Sequence, residues 1–521
     1  MLRGFEPDPS ILRVGRDYYI ATSTFEWYPG VRLHHSRDLA NWQPVGGALR
    51  TLEQLDLRGV PDSGGIWAPG LSHADGLFYL VYTVVDHYAE GWKDLANYVV
   101  TAPSIEGPWS EPAYLHGRGW DPSLFHDGDG DGRSWLLNMI YDWRPDRPGF
   151  AGIEIQEYDR QARTLLGEPR KIFAGTEAGV TEGPTLYRRD GWYYLVVAEG
   201  GTGVEHQVTV ARSAELFGPY QPDPGGSALT AKRDPTLPFQ KAGHGSLVQT
   251  PAGEWYMAHL LARPYWQAGV GRSILGRETA IQPVEWSADG WPRVPGAVPR
   301  AEVPVAEAAV TEIAVTEAEP EGGPGAVSSA PDFAADWSTL RRPASPDWIR
   351  TGHEVLIRGG QSPAGRRAPS LLAHRVTSLQ CSLSARVAFE PGSPDDLAGI
   401  AAYYNTRNWH YSYVTAGDDG TPQIAALSRV AGKLTVHTGR KNVERGERVA
   451  LSAELDGAIL RFEPLGIEVD ATTLSDEHAD EFADGVVRTY GFTGAMLGLW
   501  VIDLSGGGGV ACFDRVCYRA R

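Results

Sequence analysis

The sequence predicts an all-β protein: a five-bladed β-propeller over residues 1–300, a linker at 301–330, and a jelly-roll-type β-sandwich over 331–521. Three observations predict it. A two-part pattern recurs five times within roughly the first 290 residues. The chain carries 17 Trp and 22 Tyr with 62 Gly and 37 Pro, the balance of aromatics and turn formers that short strands need. Apolar and alternating runs of strand length return after residue 331.

The second part of the repeat is a turn followed by aromatic and aliphatic residues. It occurs as Gly15–Ile20, Asp75–Leu80, Asp131–Leu136, Asp190–Leu195 and Ala252–Met257. Aligned on Tyr19, Tyr79, Trp135, Tyr194 and Tyr256, the copies lie 60, 56, 59 and 62 residues apart. About a dozen residues before each comes a first box: Asp8-Pro-Ser-Ile, Ala68-Pro-Gly-Leu, Asp121-Pro-Ser-Leu, Glu182-Gly-Pro-Thr-Leu and His244-Gly-Ser-Leu. Box, strand, Gly turn and aromatic strand make a hairpin that leads a sheet of about four strands, the size of one propeller blade.

Residues 301–330 break the pattern, with little aromatic content, six Glu and a Gly/Pro/Ser-rich end, as a linker does. Beyond them, Leu397–Tyr404, His410–Val414 and Met496–Val501 read as strands of one sandwich.

Composition excludes several classes. A net charge of −18, from 47 Lys+Arg against 65 Asp+Glu, argues against nucleic-acid and anionic-membrane partners. No apolar run approaches the roughly 18 residues of a membrane span, and residues 1–5 lead into the first box without an apolar segment, so a cytoplasmic location is expected. Three cysteines make no disulfide framework. A homo-oligomer is compatible with the sequence.

A propeller gathers equivalent positions of its innermost strands around one axis. The box leaders Asp8, Ala68 beside Trp67, Asp121, Glu182 and His244 then share one pocket. Three carboxyls beside aromatics suit glycoside cleavage, in which one acid protonates the leaving oxygen and another activates water or attacks directly. The third would keep the acid protonated near neutrality by like-charge repulsion. The competing reading is a hard cation held by the carboxyls and His244.

The segments GFEPDPSILRVGRDYYIATSTFEWYPGV, PDSGGIWAPGLSHADGLFYLVYT, WDPSLFHD, TEGPTLYRRDGWYYLVVAEGGT, KAGHGSLVQTPAGEWYMAHL and LGRETAIQPVEW resemble glycoside hydrolase family 43. GIAAYYNTRNWHYSYVT and YGFTGA resemble the sandwich domain of its two-domain β-xylosidases. The resemblance implies Asp8 as general base, Glu182 as general acid and Asp121 as the aspartate that orients the acid and raises its pKa. It implies Phe25, Trp67 and Thr202 as pocket walls, and Arg277 as a hydroxyl ligand near Asp121. Phe492 is implied as the sandwich residue that closes the pocket. No cofactor is implied; His244 resembles an axial histidine that in some relatives binds calcium through one imidazole and waters.

The implied activity is exo-acting and inverting, releasing D-xylose from the non-reducing ends of 1,4-β-xylo-oligosaccharides. The alternatives are an α-L-arabinofuranosidase, alone or bifunctional on arabinose-containing oligosaccharides, and a non-catalytic carbohydrate-binding propeller. Glu6, Trp120 and Thr185 stand where relatives usually show Asn, Phe and His. The Trp120 change is expected to bear on pocket shape and not on acid–base chemistry. A short N-terminal strand is expected to latch the ring. Asp127–Gly132 matches the start of an EF-hand loop, but Asn138 at its twelfth position and the flanking strands favour a hairpin turn.

Overall fold

The computed structural model describes residues 1–128, 130, 132–303, 305, 336–483 and 486–521. The expected linker therefore lies, apart from its first few residues, outside the described residues, as do Asp129 and Asp131 of the EF-hand-like segment. Asp127 is buried and accepts from Arg188 and Tyr193, holding blade three to blade four.

Five antiparallel sheets follow one another in chain order. Blade one runs from Ser10–Val14 to Gln43–Leu49, blade two from Gly65–Ala74 to Ala113–His116, and blade three from Ser123–His126 to Thr164–Phe173. Blade four runs from Glu182–Arg189 to Gln221–Pro222, and blade five from Gln240–Gln249 to Pro292–Arg293. Each repeat aromatic lies on the second strand and pairs with the first at a constant place. Tyr19 faces Leu12, Tyr79 faces Ser72, Trp135 faces Phe125 and Tyr256 faces Val248, each partner four residues beyond its box leader. In blade four the partner of Tyr194 is Tyr187, five beyond Glu182, because Gly183 adds a residue that a bulge between Glu182 and Thr185 absorbs. One repeat in sequence is thus one register in space.

The ring closes between blades five and one. The Leu2 N–H donates to the Thr279 carbonyl at 2.8 Å, Thr279 returns a bond at 3.3 Å, and the Glu6 N–H reaches the Arg277 carbonyl at 2.9 Å. Glu6 is buried beside Arg32, His34 and Arg375. Burial opposes its charge, but Arg32 and Arg375 prevail and hold its carboxyl below the usual range.

The second domain packs two sheets face to face. One has the order Trp337–Leu340, Ser370–Arg375, Met496–Asp503, Asp396–Asn405, Asn408–Ala416, Pro422–Val430, Lys433–Val436. The other runs Ile349–Arg350, Val355–Arg358, Val510–Ala520, Gln380–Ala388, Val449–Asp456, Ile459–Glu463, Ile467–Asp470. The first sheet extends beyond this domain. Trp27–Tyr28, from blade one, joins its edge by pairing with Thr339 and Leu340.

Every residue of Asp396–Asn405 and Asn408–Ala416 is buried. The cause is a sheet covered on both faces, which abolishes polar alternation. Ile400, Ala402, Tyr404 and Val414 pack into the sandwich core. Tyr403, Trp409, Tyr411 and Trp500 face a second cluster that includes Trp27, Trp67, Trp120 and Ile153 of the propeller. At this boundary Arg341, fully buried, donates to Asp62 at 2.7 Å and stands 3.9 Å from Glu26. Burial raises Glu26 to about 7, whereas Arg341 keeps Asp62 ionised against the same burial.

Candidate active site

The backbone is irregular around the box leaders. Asp8, Asp121 and His244 sit at φ 58°, 57° and 50°, in the left-handed region that costs a non-glycine residue about 1–3 kcal/mol. In blade four Gly183 takes this conformation at φ 59°, and a Cβ there would lie 3.0 Å from the His244 ring, so glycine lets the imidazole pack against the backbone. Asp8 and Asp121 lie just before the ladders of their blades, whereas Gly183 and His244 fall at bulges within theirs, and the leading side chains Asp8, Asp121, Glu182 and His244 line one cavity.

One cavity of about 240 Å³ receives them all. It is lined by Asp8, Phe25, Trp67, Ala68, Asp121, Glu182, Thr202, His244, Arg277 and Phe492, every pocket residue the sequence suggested. Asp8 Oδ2 accepts from the Ser23 hydroxyl at 2.6 Å, while Oδ1 lies 3.3 Å from Arg277 Nη1 and 3.8 Å from His244 Nδ1. Arg277 is thus ion-paired to Asp8, in the same cavity as Asp121, whose carboxyl also feels the guanidinium charge. The ring closure explains it: Arg277 opens a blade-five strand whose backbone is bonded to the Glu6 segment of blade one. Glu278, next in the strand, points the other way and pairs with Arg263.

Asp121 Oδ2 accepts the Gly183 N–H at 3.0 Å, placing this carboxyl directly beside the start of the Glu182 strand. Burial first, then the neighbouring Glu182 and Asp8 carboxylates, raise Asp121 well above the ordinary range. Burial also raises Glu182, to about 7, with Asp8 adding to it and Trp120, Arg277 and Lys93 opposing. Two buried carboxyls this close do not both ionise readily, so the pair keeps a proton near neutral pH.

Trp120 departs from the expectation that it would affect shape alone. Its Nε1 donates to Glu182 Oε2 at 3.1 Å, which a phenylalanine could not do. The indole is held edge-on against Trp67, with ring centres 5.6 Å apart. Burial lowers the His244 pKa, leaving a neutral imidazole. A Ca2+ beside His244 would have one imidazole and the nearby Asp8 carboxylate to bind and would take its other oxygen ligands from water. Among the described residues no group of three His, Cys, Asp or Glu side chains could hold a metal ion.

The sandwich contributes directly. Phe492 stacks on Tyr490 at 4.2 Å and 11°, and its ring lies 5.7 Å from Trp67 and 6.0 Å from Phe25. The Phe492 N–H donates to Ser63 Oγ at 3.2 Å, and its carbonyl accepts from Arg277 Nη2 at 3.3 Å. Ser63 Oγ donates in turn to the Tyr490 carbonyl at 2.8 Å. Close approach at Gly276 lets this loop dock: a Cβ there would stand 2.1 Å from the Thr493 carbonyl oxygen.

Lys93, Phe150, Val180, His206 and Tyr490 also line the cavity and were not singled out from the sequence. Tyr490 carried a usable signal, since it lies two residues before Phe492 in an extended run and shares its face. Lys93 had none, being a lone lysine in a blade-two loop. Its Nζ donates to the Tyr88 carbonyl at 2.9 Å, and burial lowers its pKa to about 8.

Residues 1–292 match the model of glycosyl hydrolases family 43, and residues 329–519 match the β-xylosidase C-terminal concanavalin A-like domain. The chain belongs to glycosyl hydrolase family 43. This family 43 enzyme is 42% identical over 537 residues to xylosidase/arabinosidase 43B of Humicola insolens, covering 100% of this chain and 97% of that one. A xylan 1,3-β-xylosidase from a Vibrio species is 38% identical, with 99% and 98% covered. The crystal structure of a xylan β-1,4-xylosidase from Bacillus halodurans C-125 superposes with a TM-score of 0.89 at 42% identity, covering 100% and 99%.

Proposed function

We propose that this family 43 glycoside hydrolase removes single D-xylose units from the non-reducing ends of β-xylo-oligosaccharides, with inversion at the anomeric carbon. The observation that carries the reading is one pocket holding a carboxylate with a cationic partner and, apart from it, a carboxyl that keeps its proton. Asp8, beside Arg277 and Ser23, is suited to take a proton from water. Glu182, raised by burial to about 7, is suited to give one to the leaving oxygen. Asp121 acts on Glu182 through space and through the Gly183 backbone.

Exo action is supported by Tyr490 and Phe492, which the sandwich adds to the lining of a cavity of about 240 Å³. Trp67, Phe25 and Phe492 offer apolar faces to a sugar ring, and Arg277 offers guanidinium donors to its hydroxyls. The relatives named for 1,3- and 1,4-linked xylan share this architecture, and the proposal takes the 1,4 linkage. A second reading, activity on α-L-arabinofuranosides, is favoured by the name of the Humicola insolens relative.

Hydrolysis of an aryl β-D-xylopyranoside against an aryl α-L-arabinofuranoside tests the choice. The proposal expects kcat/KM to favour the xyloside. A larger value for the arabinofuranoside would install the second reading, and no turnover of either would leave a carbohydrate-binding propeller.

A further inference from the structure

We propose that Trp92 and Trp143 form a stacking platform outside the pocket for the part of a xylo-oligosaccharide lying beyond the scissile bond. The proposal rests on the reading that the pocket takes a terminal β-xyloside.

The two indoles are stacked, with ring centres 4.1 Å apart and planes 21° apart. They are nevertheless 59% and 49% exposed. The other indole pairs among the described residues, Trp67–Trp120, Trp255–Trp286 and Trp409–Trp500, meet edge-on, and each of their members is buried or half-buried. Neither Trp92 nor Trp143 belongs to a hydrophobic core cluster, so each covers one face of the other and leaves its outer face to water.

Their position gives the platform its occupant. Trp92 lies between the blade-two strands Leu77–His87 and Asp94–Ala102, next to Lys93, which lines the pocket. Trp143 lies between the blade-three strands Ser134–Tyr141 and Phe150–Asp159, on the loop whose far end places Phe150 in the pocket. The two loops are tied together just inside the pair. The Tyr141 hydroxyl donates to the Gly91 carbonyl at 3.1 Å, and Lys93 Nζ stands 4.8 Å from the Tyr141 ring centre and 5.8 Å from that of Trp120. Trp120, beside Glu182, lies 5.3 Å from the Tyr141 ring centre, and Tyr141 is hydrogen-bonded to Gly91, the neighbour of Trp92 in the chain. On this proposal, a chain whose terminal sugar fills the pocket leaves it along the side that Lys93 and Phe150 line. Its next pyranose rings carry flat C–H faces that match an indole face.

The test compares kcat/KM for an aryl β-xyloside, xylobiose and xylotetraose in the intact protein and in Trp92→Ala, Trp143→Ala and the double variant, with thermal melting as a check on folding. The ratio of xylotetraose to aryl xyloside is expected to fall by about three- to ten-fold, the scale of one lost aromatic contact, and furthest in the double variant. A ratio unchanged within about two-fold, or an equal fall on all three substrates, would overturn the platform in favour of a latch between two loops. Failure of the underlying reading looks different: the unsubstituted protein would then cleave no β-xyloside, and the platform's occupant would fall with it.

Discussion

Trp120 Nε1 stands 3.1 Å from Glu182 Oε2, so one wall of the sugar pocket is also a hydrogen-bond donor to the carboxyl proposed as the acid. The bond favours the ionised form and works against the burial that raises this group to about 7. Activity needs Glu182 protonated, so kcat/KM is expected to fall as pH rises through about 7. In Trp120→Phe the opposing bond is lost, and the alkaline limb should move upward by roughly half a unit or more. A pH–rate profile reads this directly; an unmoved limb with a lower plateau would assign Trp120 to packing alone.

Asp8 and Glu182 should be separable by leaving group. Asp8→Asn is expected to abolish hydrolysis of every substrate, because activation of water is needed whatever departs. Glu182→Gln should spare aryl xylosides of low leaving-group pKa relative to xylobiose. Equal losses on both substrate types in both variants would remove the two roles.

The stereochemical course tests the same assignment without mutation. A base acting through water stands about 6.5–9.5 Å from the acid, whereas a nucleophile stands about 5–5.5 Å away. Asp8 in blade one and Glu182 in blade four are non-adjacent blades of a five-fold ring. Proton NMR in the first minutes should show α-xylose released from a β-xyloside. Initial β-xylose would instead mean a covalent intermediate.

Phe492→Ala should lower kcat/KM by about 1–2 kcal/mol, the scale of one aromatic contact with its share of packing. Its ring contacts both Phe25 and Trp67. Ser63→Ala leaves every ring in place but removes the hydroxyl that bonds to the backbone at Tyr490 and Phe492. A smaller loss in the same direction is expected there. Steady-state kinetics on xylobiose compare the two.

Glu26 predicts a pH dependence of stability apart from that of activity. Its pKa is raised from 4.5 to about 7, so the native state holds a proton that the unfolded chain has released in between. Its contribution is present in full below 4.5 and is lost as pH rises through 7. Glu26→Gln should therefore melt higher than the parent at pH 8 and close to it at pH 5. Melting curves across that range would show the difference narrowing with acid.

The propeller could be read from sequence because each blade repeats both its turn chemistry and its pairing register. Asp8, Asp121 and Glu182 stood out through the same repetition, which marks positions near the axis. What lies off the axis had no such marker. Lys93 and the Trp92–Trp143 pair sit in loops between strands, and Phe150 at the end of one, and the lengths of such loops differ from blade to blade. Arg277 was found through its strand motif, but its ion pair with Asp8 was not, since ring closure brings residues 8 and 277 together and nothing local announces it. The role of Trp120 was missed for a related reason: a Phe-to-Trp change reads as added volume, and the N–H matters only once Glu182 of the next blade is known to face it.

The strand Trp27–Tyr28 has a thermodynamic consequence. Its hydrogen bonds to Thr339 and Leu340 belong to the sandwich, while its flanks belong to blade one. Melting either unit strips a strand from the other, exposes Trp27 and Trp409 to water and leaves the Arg341–Asp62 pair without its shelter. Neither half has an independent unfolding equilibrium, so calorimetry should record one endotherm whose van 't Hoff and calorimetric enthalpies agree. A chain cut near residue 300 would be a fragment rather than a smaller enzyme.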